Sequence, residues 1–225
     1  MGTVFCYTNT IVYCGKEMRM LKRLLTVILM MGLLIGCGTA EPAEAVEWNM
    51  HDAYSDVAEE NVFYEGTEES LTALLEHGIG IIFLGFPECP WCQAYAPMLN
   101  ETVSSAGTRV LYYNIYEDKV DNATFYDRIA AYINEHDSSI LSYNSDGRLV
   151  IYMPLVLFVQ NGEIIAYDHE TCTEDSSVIT PEEYWTDDKV EALKTKLLEN
   201  ASLIAAAQEE NDSQGCSLEC AETDE

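Results

Sequence analysis

Cys89 and Cys92, separated by Pro90 and Trp91 in "FLGFPECPWCQAYAPML", are the residues of this chain best suited to chemistry. A Cys-x-x-Cys pair can exchange electrons, hold half of a metal site, or staple a loop. A permanent staple across so short a loop removes little chain entropy. A zinc site would need two more thiolates, for which Cys216 and Cys220 are the candidates. They lie far from the first pair, whereas compact zinc ribbons keep their pairs close. The redox reading fits the surroundings, because an apolar run precedes the pair and a helical pattern follows it. No metal is expected, and the Cys89-Cys92 redox-active disulfide is the only cofactor expected.

The helix opening has a physical use. Cys89 stands at or just before the first turn, where unpaired backbone N–H groups and the helix dipole favour a thiolate. Cys92 lies one turn on, within reach of a disulfide formed by Cys89. Lowering a thiol pKa from about 8.5 to about 7 requires about 2 kcal/mol. A helix terminus supplies about 0.3–1 kcal/mol, so hydrogen bonds to the sulfur must supply the rest. Glu88 opposes the shift if it points at the sulfur.

The flanking elements alternate. Thr67 is a cap candidate for a helix in "TEESLTALLEHG", with Leu71, Leu74 and Leu75 at helical spacing and Gly78 at the stop. "IGIIFLGF" is a short Ile/Phe-rich run, expected as a buried strand. "QAYAPMLNETVSSAG" is helical with a kink expected at Pro97. "RVLYYNIY" reads as a strand, and "NATFYDRIAAYINEH" as a helix with Phe125, Ile129, Tyr132 and Ile133 on one face. "GRLVIY" reads as a further strand. "PLVLFVQNGEIIAYD" reads as a hairpin turning at Asn161-Gly162. A long helix is expected from Pro181 onward. Alternating strands and helices that finish in a hairpin and a helix predict an α/β sandwich with a mixed sheet.

The ends set the compartment. "MLKRLLTVILMMGLLIGCGTA" has a basic start, an apolar run from Leu24 to Leu34 and small residues after it, the pattern of a secretory signal. Leu34-Ile35-Gly36-Cys37 resembles the bacterial lipoprotein signal box, which implies that Cys37 carries a lipid and that the protein sits outside the cytoplasmic membrane. Residues 1–36 are therefore expected as a lipoprotein signal peptide, of which 1–17 precede a cleaner start. Residues 37–66 are expected as an acidic tether, 67–210 as the folded domain, and 211–225 as a disordered acidic tail holding cysteines.

The whole chain carries a net charge of −28. Residues 1–36 hold four of the 11 bases and one of the 39 acids, so the remainder has 38 acidic and 7 basic side chains, a net charge of about −31. Nucleic acid and anionic headgroups are poor partners for that surface, and nucleic acid is excluded as a ligand. His51, His77, His136 and His169 show no ligand spacing. Cys172 falls in an aperiodic stretch. Cys216 and Cys220 are open to a tail disulfide, a bond to Cys172, free thiols, or a shuttle that passes electrons.

Over roughly residues 67–205 the chain resembles the thioredoxin family. Cys92, Ala96 and Pro97 match that family's "C-x-x-x-A-P" helix, and "MPLVLFVQNGE" resembles its cis-proline strand and hairpin, with Pro154 at the cis position. The resemblance implies a thioredoxin-like three-layer sandwich, a mixed β-sheet flanked by helices. It also implies thiol-disulfide oxidoreductase activity, with Cys89 attacking and Cys92 resolving. By the same resemblance Pro154 joins the two cysteines as a catalytic residue, and Met153, Pro90 and Trp91 line the substrate groove. Gly-Phe-Pro-Glu-Cys-Pro-Trp-Cys is similar to the exported branch described as bacteriocin-transport accessory proteins.

Implied partners are exported proteins with thiols or disulfides, a membrane or extracytoplasmic electron donor or acceptor, and the membrane itself through the lipid. Three positions depart from the family. Phe83 stands where a buried aspartate is often kept, Tyr112 falls near the position of its lysine partner, and Trp91 replaces the histidine of strongly oxidising relatives. The alternative function is a non-catalytic thioredoxin-like accessory module of a transporter or envelope complex. Oxidase, reductase and isomerase directions stay open, since about 30 mV of potential corresponds to 1.4 kcal/mol.

Overall fold

The computed structural model describes residues 48–169 and 179–219, with side chains to residue 213. Five strands form one mixed sheet in the order β1-β3-β2-β6-β7: β1 (Phe63–Glu65), β2 (Ile79–Leu84), β3 (Val110–Tyr113), β6 (Leu155–Gln160) and β7 (Glu163–Asp168). β1, β3 and β2 are mutually parallel, while β6 and β7 run antiparallel to their neighbours. The parallel strands are connected through α2 (Glu68–His77) and α3 (Pro90–Ala106). β4 (Ser142–Tyr143) and β5 (Leu149–Val150) pair only with each other. "GRLVIY" was expected as a further strand, and its two strand residues stay outside the main sheet.

Period-2 alternation divides the core between the two faces of the sheet. Ile81 and Phe83 of β2, with Val156 and Phe158 of β6, pack with Tyr95 and Leu99 of α3 and with Leu193 and Leu197 of the C-terminal helix. Ile82 and Leu84, with Leu155 and Leu157, pack with Leu71 and Leu75 of α2 and with Phe125, Ile129 and Ile133 of α5 (Ala123–His136). Helices therefore cover both faces, as the unbroken burial of Gly80 to Leu84 requires.

Local signals behave as their chemistry dictates. Thr67 and Ser70 form a reciprocal capping box at the start of α2. Asn161 and Gly162 both take positive φ, 54° and 80°, as a two-residue hairpin turn demands. A β-carbon on Gly162 would lie 2.1 Å from the Glu76 carbonyl oxygen, so glycine is required twice over at this position. α3 continues through Pro97.

Residues 48–66 correct the expected tether over 37–66. They carry α1 (Met50–Ala53) and β1, and Met50, Tyr54, Val57 and Phe63 are buried in the core beneath Phe83. The acidic residues between them mask this pattern in the sequence, because one-sided burial leaves their own side chains in water. The Asn49 side chain caps α1 by accepting the His51 N–H.

Three further differences concern the remaining helices. "NIY" does not extend β3, since α4 (Ile115–Asp121) begins at Ile115. The helix expected from Pro181 is two helices, α6 (Pro181–Tyr184) and α7 (Asp187–Glu219), broken at Trp185-Thr186. Residues 211–219, expected in a disordered tail, continue α7. One backbone bond per added residue propagates a helix that the core already holds at Leu193, Leu197, Ala201 and Ile204.

Candidate active site

Strand pairing brings two distant loops together. β2 and β6 are antiparallel with Leu84 opposite Leu155. The loop leaving β2 therefore starts beside the residue that enters β6, which is Pro154. The Met153-Pro154 peptide bond is cis. The Cys89 thiol reaches the Met153 carbonyl oxygen at 3.7 Å. Cys89, Cys92, Pro90, Trp91, Met153 and Pro154 all lie at this end of the sheet, on one side of which the parallel strands terminate.

Cys89 is the N-cap of α3. Its sulfur accepts the Cys92 backbone N–H at 3.1 Å, and Pro90 fills the first helical position, where an N–H would have no partner. The Cys89 thiol pKa is lowered, chiefly by a hydrogen bond from the Cys92 side chain and further by the Cys92 and Trp91 amides, against the opposing effect of burial. These hydrogen bonds act in the same direction as the helix terminus. Burial pushes the Cys92 thiol up, reinforced by its bond to Cys89. Both cysteines are free thiols, Cys89 5% exposed and Cys92 fully buried. Of the two, only Cys89 both ionises readily and has any access to solvent.

Phe83 occupies the site where the resemblance would place a buried acid. Its ring stacks with Tyr95 at 6.2 Å and packs against Tyr54, Phe63 and Tyr112. A β-carbon on Gly85 would meet both Phe83 Cζ at 3.0 Å and Cys92 Sγ at 3.4 Å, so ring and sulfur close on the same point of the loop. Tyr54 Oη donates to Tyr112 Oη at 3.5 Å. Burial raises the pKa of both phenols, and Cys92 adds to the rise in each. Glu88 contributes to the upward push on Tyr112.

Several neighbours of the pair were not legible in the sequence. The Gln93 side chain donates to the carbonyls of Pro87 at 2.6 Å and Ala53 at 2.9 Å, tying the cysteine loop to α1. Trp91 is half-buried and meets Tyr184 edge to face at 5.4 Å, while Lys189 Nζ lies 3.4 Å from the centre of the Tyr184 ring. One turn beyond Cys92, Tyr95 Oη donates at 2.8 Å to a fully buried carboxylate, Asp168, which also accepts from Lys196 Nζ at 2.7 Å. Contacts across such sequence separations leave no local pattern.

Among the described residues no three His, Cys, Asp or Glu side chains converge to hold a metal ion. Among the same residues no helix is long and apolar enough to cross a membrane. The segment expected as a signal peptide, Cys37, Cys172 and Cys220 lie outside the described residues, as does the Cys216 side chain. No family model matches the chain, and no curated protein matches it.

Proposed function

We propose that this protein is a thiol-disulfide oxidoreductase of thioredoxin-like fold, held outside the cytoplasmic membrane by a lipid on Cys37. The observation that carries the reading is the asymmetry of the two thiols: Cys89 is lowered in pKa and reaches the Met153 carbonyl beside a cis proline, while Cys92 is buried and raised. The sheet order and the helix opening at the cysteine pair support the finer fold assignment. Localisation rests on the Leu34–Cys37 sequence alone.

In the exchange, the Cys89 thiolate attacks a substrate disulfide sulfur, forming one S–S bond as the substrate's own breaks and a substrate thiolate leaves. Cys92 then loses its proton and attacks Cys89. The products are a Cys89-Cys92 disulfide and a substrate carrying two thiols; oxidation of a substrate is the same sequence reversed. Loss of the Cys89 negative charge on forming the mixed disulfide removes the repulsion that opposes Cys92 ionisation.

The test is trapping. With Cys172, Cys216 and Cys220 changed to serine, Cys92→Ala is expected to accumulate reducible adducts with envelope proteins on non-reducing gels, and Cys89→Ala none. Absence of adducts from Cys92→Ala, in cells where the wild type still supports an envelope complex, would make the protein a binding module. Cys37→Ser is expected to abolish acylation and membrane fractionation, and unchanged fractionation would overturn the anchor.

A further inference from the structure

A cavity of about 240 Å³ opens at the carboxyl ends of β1 and β3 and is bordered by Pro87, two residues before Cys89. Sheet polarity puts it at the same edge as the cysteine pair, on the side away from Met153, because β1, β2 and β3 are parallel and β6 flanks β2 from the other side. Its charged lining is of one sign. Glu65, Glu117 and Asp118 contribute carboxylates, and among the described residues no Lys or Arg joins the lining.

Asp118 is 8% exposed, and its carboxylate accepts from the Tyr113 hydroxyl at 2.7 Å. Among the described residues none of these three acids forms an ion pair. The Asn114 side chain donates to Glu117 at 2.8 Å, and its own carbonyl oxygen is buried without a partner. A buried carboxylate without a countercharge and an unpaired buried acceptor are both costly. Both call for a donor.

Among the described residues no Lys or Arg lines this cavity. Those residues hold seven Lys and Arg, whose recorded contacts lie elsewhere. Arg109, Lys119, Arg128 and Lys189 lie over aromatic rings. Arg148, Lys194 and Lys196 form ion pairs. A metal ion is a poor fit, since the acids do not converge. Trp48 stacks on Tyr112 at 5.5 Å, and both rings line the cavity, which suits an organic cation.

We propose that this cavity receives a lysine or arginine side chain of the polypeptide that Cys89 engages, making it a subsite that selects substrates with a basic residue near the reacting cysteine. The subsite rests on the thiol-exchange reading for its purpose. Its occupancy can be measured without that reaction.

Two peptide disulfides that differ only in Arg against Gln three residues from the cysteine serve as substrates for the full-length protein. The arginine peptide is expected to show about five- to tenfold higher kcat/KM. Glu117→Gln and Asp118→Asn should each reduce that ratio toward one, and Glu117, being exposed, can be changed without disturbing the core. Equal kcat/KM for the two peptides, or a preference that survives both substitutions, overturns the subsite.

A cysteine-free arginine peptide is titrated calorimetrically against Cys89→Ser. Saturable binding that Glu117→Gln weakens supports the subsite even if neither disulfide is turned over, an outcome that would sink only the exchange reading. No binding, or calcium binding more tightly than the peptide, overturns the subsite while leaving the exchange reading intact.

Discussion

The backbone N–H of Cys92 lies 3.1 Å from the sulfur of Cys89 and donates to it, so one cysteine's amide stabilises charge on the other. The first helical turn thus sets unequal acidities within a four-residue motif. Alkylation should report that inequality. Iodoacetamide is expected to modify Cys89 with a midpoint below the ordinary thiol value of about 8.5. Cys92 should stay unmodified at neutral pH in the folded protein. Mass spectrometry of peptides alkylated across a pH series checks both, and equal labelling of the two thiols would contradict the asymmetry.

The same inequality gives the reduced protein a signed pH dependence. Cys89 has a lowered folded pKa, so between that value and about 8.5 the unfolded chain holds the extra proton and stability rises with pH. Its contribution is complete above the unfolded value and is lost as pH falls through the folded one. Cys92 has a raised folded pKa, so its contribution is complete below about 8.5 and is lost as pH rises further. Urea midpoints of the reduced protein are expected to climb toward about 8.5 and to decline beyond it, before tyrosines ionise near 10. Cys89→Ser should lose the climb, and Cys92→Ala should lose the decline together with part of the climb, since the Cys92 side chain is the chief group that lowers Cys89.

The segment before Thr67 is part of the folding unit. Tyr54 is fully buried against Phe83 and Tyr112, and Tyr54→Ala is expected to destabilise by about 3–5 kcal/mol in urea unfolding. A chain beginning at Thr67 should unfold at lower denaturant than one beginning at Cys37, since it lacks edge strand β1 and the Gln93 contact to Ala53. Identical midpoints would restore the tether reading.

Gly162 links the hairpin turn to α2. Its amide donates to the Gly78 carbonyl at 3.1 Å, and its φ of 80° disfavours any side chain. Gly162→Ala should cost about 1–3 kcal/mol through strain and the clash with Glu76. Asn161→Gly should change the unfolding midpoint little, and equal effects of the two substitutions would contradict this account.

Much of this molecule was legible because its signals are local. The Thr67 cap, the apolar run of β2, the face of α5 and the Asn161-Gly162 turn each arise from residues a few positions apart, and backbone sterics and side-chain period decide them before any tertiary contact forms. The Cys-Pro-Trp-Cys motif is local in the same sense, since proline at the first helical position and a sulfur at the cap are properties of one turn. Residues 48–66 and α4 were misread because the deciding partners are remote. Met50 and Tyr54 become core only once Phe83 and Tyr112 arrive beneath them, and an acidic stretch with sparse apolar residues gives no local sign of that.

Sequence alone determined that two thiols stand at a helix opening and that the chain carries a strong net negative charge. Only the tertiary structure decided that Met153 lies against Cys89, because that contact depends on the antiparallel register of β2 with β6 across more than sixty residues of chain. It likewise decided that Glu65, Glu117 and Asp118 share a cavity with no countercharge. Parallel pairing brings the ends of β1 and β3 to one edge, and the energy of a buried charge depends on what surrounds it in space rather than on its neighbours in sequence.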